Sequence, residues 1–215
     1  MKDKILCVVP ARGGSKEIKL KNLQKINGKS LLEITINHAI SSGIFHTIHV
    51  STDNLEIKKE TEKVGLMIPF LRSKENSIDD VHVSKVVLEV LEEYKKICIE
   101  FDYVCMLMPT CPLRTKENII DAFNILKFKS ADSVISVTEL GKLETNLRYI
   151  EEDGKLQYYN TAVPRNVNRQ SERKLFCVNG SIFVSTTKSF IINESFHTEN
   201  VYSYVMEHFN SIDIN

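Results

Sequence analysis

Short apolar runs alternate with amphipathic stretches of ten or more residues along much of the chain, and this alternation limits the possible folds more than any other feature. Strands separated by helices pair in parallel through right-handed crossovers, which predicts a three-layer α/β/α fold with a mostly parallel sheet. Ligands bind beyond the carboxyl ends of such strands, so the loops beginning at Pro10, Ser51, Arg72 and Pro109 are candidate site loops. The predicted strands are Ile5–Val9, Thr47–Val50, Met67–Leu71, Tyr103–Met108 and Ser133–Val137, and the predicted helices begin after Ser30, at Leu55, at Val83 and at Lys116.

The regular alternation ends at about Glu139. Residues 139–175 are polar and rich in arginine and asparagine, with a turn signal at Asp153-Gly154, which predicts an inserted arm. Apolar segments at Ser181–Ser185 and Val201–Met206 return to the sheet. A chain of 215 residues is long enough for one substantial core, so we expect a single domain, 1–215, with the arm 139–175 inside it.

The charge balance excludes several classes of partner. The chain has 28 basic and 28 acidic residues, so it has no general attraction to nucleic acid or to an anionic membrane. No apolar run reaches the roughly 18–20 residues that a membrane span needs. The five cysteines are odd in number and lack CxxC spacing, which argues against a disulfide framework and a zinc site and favours buried thiols. We therefore expect a cytoplasmic protein.

The basic residues are concentrated at the N-terminus, where residues 1–30 carry eight Lys or Arg against two Asp or Glu. Within this segment Gly13 and Gly14 follow the first predicted strand directly. Adjacent glycines let backbone amides turn toward an anion without obstruction by a Cβ atom. The pattern predicts a triphosphate site, with a tight surface turn among solvated lysines as the alternative; the Walker A and GxGxxG spacings are both absent. The polar residues around these glycines are Arg12, Ser15, Lys16, Lys21 and Asn22.

The segment Pro10–Asn22, PARGGSKEIKLKN, closely resembles the N-terminal signature of the acylneuraminate cytidylyltransferase family, the CMP-sugar synthetases of nine-carbon acidic sugars. Further stretches support the resemblance in chain order: Ser51-Thr52-Asp53, Arg72 with Asp79, MPTCPLR at 108–114, Asn179-Gly180, and SIDIN at 211–215. They coincide with the predicted strand ends and span nearly the whole chain. The resemblance implies a nucleotide-diphospho-sugar transferase-like domain, CTP as cosubstrate, Mg²⁺ as cofactor, an acidic sugar as acceptor, and a homodimer formed through the inserted arm.

The resemblance also implies roles for individual residues. In the implied reaction the anomeric hydroxyl of the sugar attacks the α-phosphorus of CTP, and protein groups position the reactants and neutralise negative charge. The implied catalytic residues are Arg12, Lys21 and Asp213, and the implied metal ligands are Asp213 and Asn215. The implied nucleotide-binding residues are Pro10, Ala11, Arg12, Gly13, Gly14, Ser15, Lys16, Lys21, Asn22, Arg72 and Asp79, and the implied sugar-binding residues are Met108, Arg169, Gln170 and Asn179.

Three positions depart from the family pattern. Met108 stands where a glutamine is usual, Cys177 where an arginine is usual, and Asn215 where a second aspartate is usual. A thioether offers no directed hydrogen bond and suits a deoxy sugar such as legionaminate or pseudaminate. We expect the α-carboxylate of Asn215 to replace the missing aspartate. The alternatives are an eight-carbon ulosonic acid as substrate, or a degenerate protein that binds nucleotide without turnover.

Overall fold

The structure, a computed structural model, describes residues 3–14, 18–141, 147–160 and 174–214. The strands are β1 (Ile5–Pro10), β2 (Lys25–Ile26), β3 (Lys29–Ser30), β4 (Thr47–Ser51), β5 (Tyr103–Leu107), β6 (Ser133–Glu139), β7 (Arg148–Ile150), β8 (Leu156–Tyr158), β9 (Phe176–Thr186) and β10 (Val201–Val205). The helices are α1 (Leu31–Ser42), α2 (Leu55–Lys63), α3 (Val83–Lys96), α4 (Lys116–Phe128) and α5 (Thr187–Asn193).

The central sheet has six strands in the order β10-β6-β9-β5-β1-β4. Strand β1 pairs in parallel with β4 and β5, and β10 pairs in parallel with β6. Strand β9 runs antiparallel between β5 and β6. The carboxyl ends of the five parallel strands therefore lie at one edge of the sheet, together with the start of β9.

Two separate apolar cores cover the two faces of the sheet. Along β1, Cys7 and Val9 pack with residues of α1, α2 and α4, whereas Leu6 and Val8 pack with residues of α3 and α5. This distribution follows from the alternation of side chains along a strand. The predicted three-layer α/β/α fold with a mostly parallel sheet is confirmed.

Local capping residues define both ends of α1 and the start of α4. The Ser30 hydroxyl accepts a hydrogen bond from the Glu33 amide at 3.0 Å, and Gly43 ends α1 with a φ of +66°. Helix α4 begins with a capping box between Thr115 and Asn118. Both helices begin at the predicted positions because capping depends on residues a few positions apart.

The prediction of a strand at Met67–Leu71 is wrong. The segment is irregular, Met67 is 78% exposed, and Pro69 removes a backbone donor from the run. The antiparallel direction of β9 and the helix α5 were not predicted from the sequence. Within the predicted arm, β7 and β8 form a hairpin around the turn at Asp153-Gly154, and residues 142–146 and 161–173 lie outside the described residues.

The cysteine side chains agree only partly with the expectation of buried thiols. All five are free; Cys7, Cys105 and Cys111 are buried, Cys177 is half-buried and Cys98 is exposed. None of the helices in the described ranges is long and apolar enough to cross a bilayer.

Candidate functional site

A cavity of about 510 Å³ opens at the carboxyl ends of β1 and β5. Three of the four candidate loops line it, namely those beginning at Pro10, Arg72 and Pro109. The structure therefore brings together residues from distant parts of the sequence. The predicted site residues that line the cavity are Pro10, Arg12, Lys21, Asn22, Arg72, Asp79 and Met108.

Arg72 is a buried cation at the wall of the cavity. Its Nε donates to the Ser51 hydroxyl at 3.0 Å and its Nη2 to the Ser51 carbonyl at 2.6 Å, so the end of β4 fixes its direction. Burial lowers the pKa of Arg72 to about 10, with nearby carboxylates opposing the shift. The side chain therefore stays charged at neutral pH and supplies a fixed positive charge.

The glycine loop is held from behind by the loop that follows β4. The Gly13 amide donates to Asp53 Oδ1 at 2.9 Å. A Cβ atom at position 13 would lie 2.7 Å from Asn54 Nδ2 and 2.9 Å from Asn54 Cβ, so this position has no space for a side chain. The Gly13 amide, which was expected to bind an anion, is thus already hydrogen-bonded to Asp53. Gly14 has open space around its Cα atom, and its predicted role remains a prediction.

Arg12 and Asp79 meet at the mouth of the cavity. Arg12 Nη1 forms an ion pair with Asp79 Oδ1, and both side chains are about one third exposed, at 32% and 35%. Asn22 lies in the 3₁₀ turn Lys21–Leu23, and its Nδ2 donates to the Arg12 carbonyl at 3.4 Å. The Arg12 guanidinium, which the sequence analysis assigned to phosphate binding, is thus paired with the carboxylate of Asp79.

Lys21 contacts the C-terminal segment. Its Nζ donates to the Ile214 carbonyl at 3.4 Å, and the Ile214 amide donates to the Thr110 carbonyl at 2.9 Å. Lys21 and Thr110 both line the cavity, so these bonds place Asp213 at its rim. The predicted catalytic residues Arg12 and Lys21 thus line the cavity, and Asp213 lies next to its wall without lining it.

Asp213 has the chemistry of a magnesium ligand. Its side chain is exposed, and Mg²⁺ is held by one or two carboxylates together with waters and substrate phosphates. Among the described residues no group of three or more His, Cys, Asp or Glu side chains could enclose a metal ion. A single open carboxylate beside a cavity of about 510 Å³ fits Mg²⁺ bound jointly with a nucleotide.

Cys111 lies directly behind this carboxylate. Its Sγ lies 3.7 Å from Asp213 Oδ1 and 3.5 Å from the Asn179 carbonyl, and its single proton can be donated to either oxygen. Burial, and secondarily the charge of Asp213, raises the pKa of Cys111 to about 11. The side chain is therefore a neutral thiol that supports the loop, and it lacks the thiolate character of a nucleophile.

The predicted sugar-binding residues have different surroundings. Met108 lines the cavity. Asn179 is buried, and its two acceptor and two donor positions all have protein partners. Its predicted contact with the sugar stays a prediction and would require one of these bonds to be exchanged.

Several predicted residues do not line the cavity or lie outside the described residues. Ala11 is fully buried, and its amide donates to the Ser51 carbonyl at 2.9 Å, so it supports the sheet. The residues outside the described ranges are Ser15, Lys16, Arg169, Gln170 and Asn215.

The loop from 73 to 82 contributes cavity residues that the sequence reasoning missed. Asn76, Ile78 and Val81 line the cavity, although only Arg72 and Asp79 were selected there. Glu89 of α3 holds this loop, because its carboxylate accepts from the Ser73 amide at 2.6 Å and from Asn76 Nδ2 at 2.8 Å. A glutamate on an amphipathic helix normally indicates a solvated face, so no sequence pattern distinguishes this role.

Comparisons with known proteins agree with this geometry. A family model described as cytidylyltransferase matches residues 6–204. The chain is 34% identical to the CMP-N,N'-diacetyllegionaminic acid synthase of Legionella pneumophila over 91% of its own length and 84% of that protein. It is 30% identical to the pseudaminic acid cytidylyltransferase of Campylobacter jejuni, covering 87% of this chain and 81% of the relative.

A solved structure of similar fold is CMP:2-keto-3-deoxy-manno-octonic acid synthetase complexed with CTP. It has a TM-score of 0.70 and 16% sequence identity, covers 95% of this chain, and is covered over 90% of its own length. At that identity the likeness bears on the fold alone. The family match, which spans nearly the whole chain, agrees with the resemblance seen at Pro10–Asn22, and the chain belongs to the cytidylyltransferase family.

Proposed function

We propose that the protein transfers CMP from CTP to the anomeric hydroxyl of an acidic nine-carbon sugar and releases pyrophosphate. The observation that carries this proposal is the convergence of Arg12, Lys21, Asn22 and Arg72 on one cavity in a chain of the cytidylyltransferase family. The names of the two relatives, which specify legionaminic and pseudaminic acid, support the class of sugar.

The residues suit the charge changes of this reaction. The sugar hydroxyl releases its proton to water and its oxygen forms a bond to the α-phosphorus. The bond from that phosphorus to the bridging oxygen breaks, and pyrophosphate carries away the negative charge. Arg12 and Lys21 face the opening and neutralise this charge by exchanging Asp79 and the Ile214 carbonyl for phosphate oxygens. Magnesium held by Asp213, with Asn215 as a further ligand, would reduce the charge repulsion between the phosphates.

Further residues complete the proposed sites. Ser15, Lys16 and Gly14 extend the triphosphate site, and Arg169 and Gln170 bind the sugar carboxylate. Met108 at the cavity wall offers a thioether rather than a hydrogen-bonding amide, which favours a deoxy sugar of the legionaminate or pseudaminate type over N-acetylneuraminate.

The test is pyrophosphate release from CTP and Mg²⁺ across a panel of acidic sugars: a legionaminate, a pseudaminate, N-acetylneuraminate and an eight-carbon ulosonic acid. We expect turnover with a deoxy nine-carbon sugar. In Met108→Gln we expect the substrate preference to shift toward N-acetylneuraminate. Turnover only with the eight-carbon acid would change the substrate class. CTP binding without pyrophosphate release in the presence of any of these sugars would favour a degenerate nucleotide-binding protein.

A pair of lysine variants tests the site itself. Lys21 lines the cavity, whereas Lys25 lies exposed on the small β2–β3 hairpin nearby. We expect Lys21→Gln to raise the KM for CTP and Lys25→Gln to leave it unchanged. Equal effects would show that only the overall basic charge of the segment matters.

We further propose that the protein is a cytoplasmic homodimer formed through the arm. The β7–β8 hairpin exposes apolar side chains, with Ile150 at 71%, Leu156 at 62% and Tyr159 at 66% exposure. A two-stranded hairpin is marginally stable alone, so a partner surface would stabilise it. Light scattering should give a dimer for the native chain and a monomer for Ile150→Glu/Leu156→Glu; a native monomer would refute the proposal.

A further inference from the structure

A buried amide connects the central sheet with the C-terminal segment. Asn179 lies in an irregular part of the pairing between β6 and β9. Ile135 pairs with Phe183 and Val137 pairs with Val178, so five steps along β9 correspond to two steps along β6. Gly180, with a φ of +71°, permits the turn that follows. The irregularity brings the Asn179 side chain inside the protein, where it is 7% exposed.

The Asn179 amide makes four hydrogen bonds to four different partners. Its Oδ1 accepts from the Ser136 hydroxyl at 2.6 Å and from the Ser181 amide at 3.1 Å. Its Nδ2 donates to the Ser211 hydroxyl at 2.8 Å and to Met206 Sδ at 3.3 Å. The acceptor side of the amide is thus held by the sheet, and the donor side holds the segment that follows β10.

That segment is fixed on both sides of Asp213. Before it, Ser211 accepts from Asn179 and donates to the Glu207 carbonyl at 2.9 Å. After it, the Ile214 amide donates to the Thr110 carbonyl at 2.9 Å. Both anchors, Ser211 and Ile214, lie within two positions of Asp213. They leave the backbone at Asp213 little freedom, since each residue spans at most about 3.6 Å.

We infer that Asn179 is a positioning residue for the carboxylate of Asp213, acting through Ser211, rather than a group that binds the sugar. Its amide orients the C-terminal segment so that Asp213 stands at the cavity rim beside Lys21 and Thr110. This inference rests on the proposed function only in taking Asp213 as the metal ligand; the connection itself is a property of the protein without ligands.

Ser211→Ala separates the two roles of Asn179. It removes one of the two acceptors of Nδ2 but leaves the amide of Asn179 in place, so a sugar contact of that amide would survive. Asn179→Ala removes both roles, and Ser211→Thr restores a hydroxyl at position 211. Ser185→Ala is a matched control, because Ser185 is a buried serine near the other end of β9 that donates to the Asp132 carbonyl at 2.8 Å.

The first measurement is hydrogen exchange of residues 207–214 in the protein without ligands. We expect faster exchange of these amides in Ser211→Ala and Asn179→Ala, and native exchange in Ser185→Ala and Ser211→Thr. Native exchange rates in both Ser211→Ala and Asn179→Ala would overturn the inference, whatever reaction the protein catalyses.

The second measurement is Mn²⁺ affinity by electron paramagnetic resonance in the presence of CTP. Ser211→Ala and Asn179→Ala both remove the bond from Asn179 Nδ2 to the Ser211 hydroxyl, and loss of this shared bond predicts an affinity about tenfold weaker in each, with no further loss in the double variant. The KM for the sugar should stay unchanged in Ser211→Ala. Native Mn²⁺ affinity in Ser211→Ala, together with a raised sugar KM in Asn179→Ala, would assign Asn179 to the sugar instead.

A failure of the proposed function gives a different result. In that case the native chain releases no pyrophosphate with any acidic sugar, while the exchange experiment still decides whether Asn179 holds the C-terminal segment.

Discussion

Replacing Gly13 by alanine should disturb the loop that carries Arg12, whereas the same change at Gly14 should not. The added Cβ at position 13 would lie 2.9 Å from Asn54 Cβ, an atom fixed to the backbone, so a rotation of the Asn54 side chain alone does not relieve the overlap. At Gly14 the added methyl group meets nothing within 4 Å. The two neighbouring glycines thus provide a matched pair.

The magnitude follows from the hydrogen bonds that must be displaced. Asn54 caps α2 by accepting from the Glu56 amide at 2.8 Å and the Ile57 amide at 3.2 Å, and such a cap contributes about 1 kcal/mol. The bond from the Gly13 amide to Asp53 contributes about 1 kcal/mol more. Loss of both predicts about 2 kcal/mol lower stability and a melting temperature lower by about 4–8 °C.

The assay is thermal unfolding of both variants together with the KM for CTP. We expect Gly13→Ala to show the lower melting temperature and a KM raised about tenfold, because about 1.4 kcal/mol of loop displacement at Arg12 corresponds to that factor. Gly14→Ala should melt at or slightly above the native temperature, since alanine restricts the unfolded chain. Equal melting temperatures for the two variants would refute the steric argument.

Three other perturbations follow from buried or rim groups. Burial lowers the pKa of His49 to about 3 and that of His38 to about 4, so the unfolded state binds more protons below pH 6.5 and urea unfolding should show stability falling with acidification, His49 contributing about 2 kcal/mol of the fall between pH 7 and pH 5; His49→Leu should reduce this slope, and an unchanged slope would assign it to other groups. Glu89→Ala should free the 73–77 loop and raise the KM for CTP, whereas Glu92→Ala on an exposed position of the same helix should not; equal KM values would contradict the anchoring role. Asp213→Asn should weaken Mg²⁺ activation by about 10–100-fold without changing the melting temperature, and native activation would remove Asp213 from the metal site.

The features that the sequence predicted correctly depend on neighbouring residues. Ser30 and Thr115 begin their helices by bonding amides three positions ahead, and the apolar run of β1 is recognisable without knowledge of its partners. The direction of β9 depends instead on partner residues at least 37 positions away in the chain, and no local pattern encodes it. The segment 67–71 has the composition of a strand, but Pro69 and the exposure of Met67 leave it outside the sheet.

Some of the motif residues selected by resemblance line the cavity, and others hold the lining residues in place. The sequence does not separate these two kinds of residue. Ser51 and Asp53 belong to one motif at the end of β4, yet neither lines the cavity. Ser51 orients the side chain of Arg72, and Asp53 accepts a hydrogen bond from the Gly13 amide. Both act across loops that are distant in the chain, so their effect on nucleotide binding passes through a hydrogen bond to another residue. The same reasoning applies to Asn179, whose bonds place it behind the C-terminal segment rather than at the cavity surface. A motif therefore marks the neighbourhood of a site, and the direction of each hydrogen bond decides whether a residue contacts the ligand or supports the residue that does.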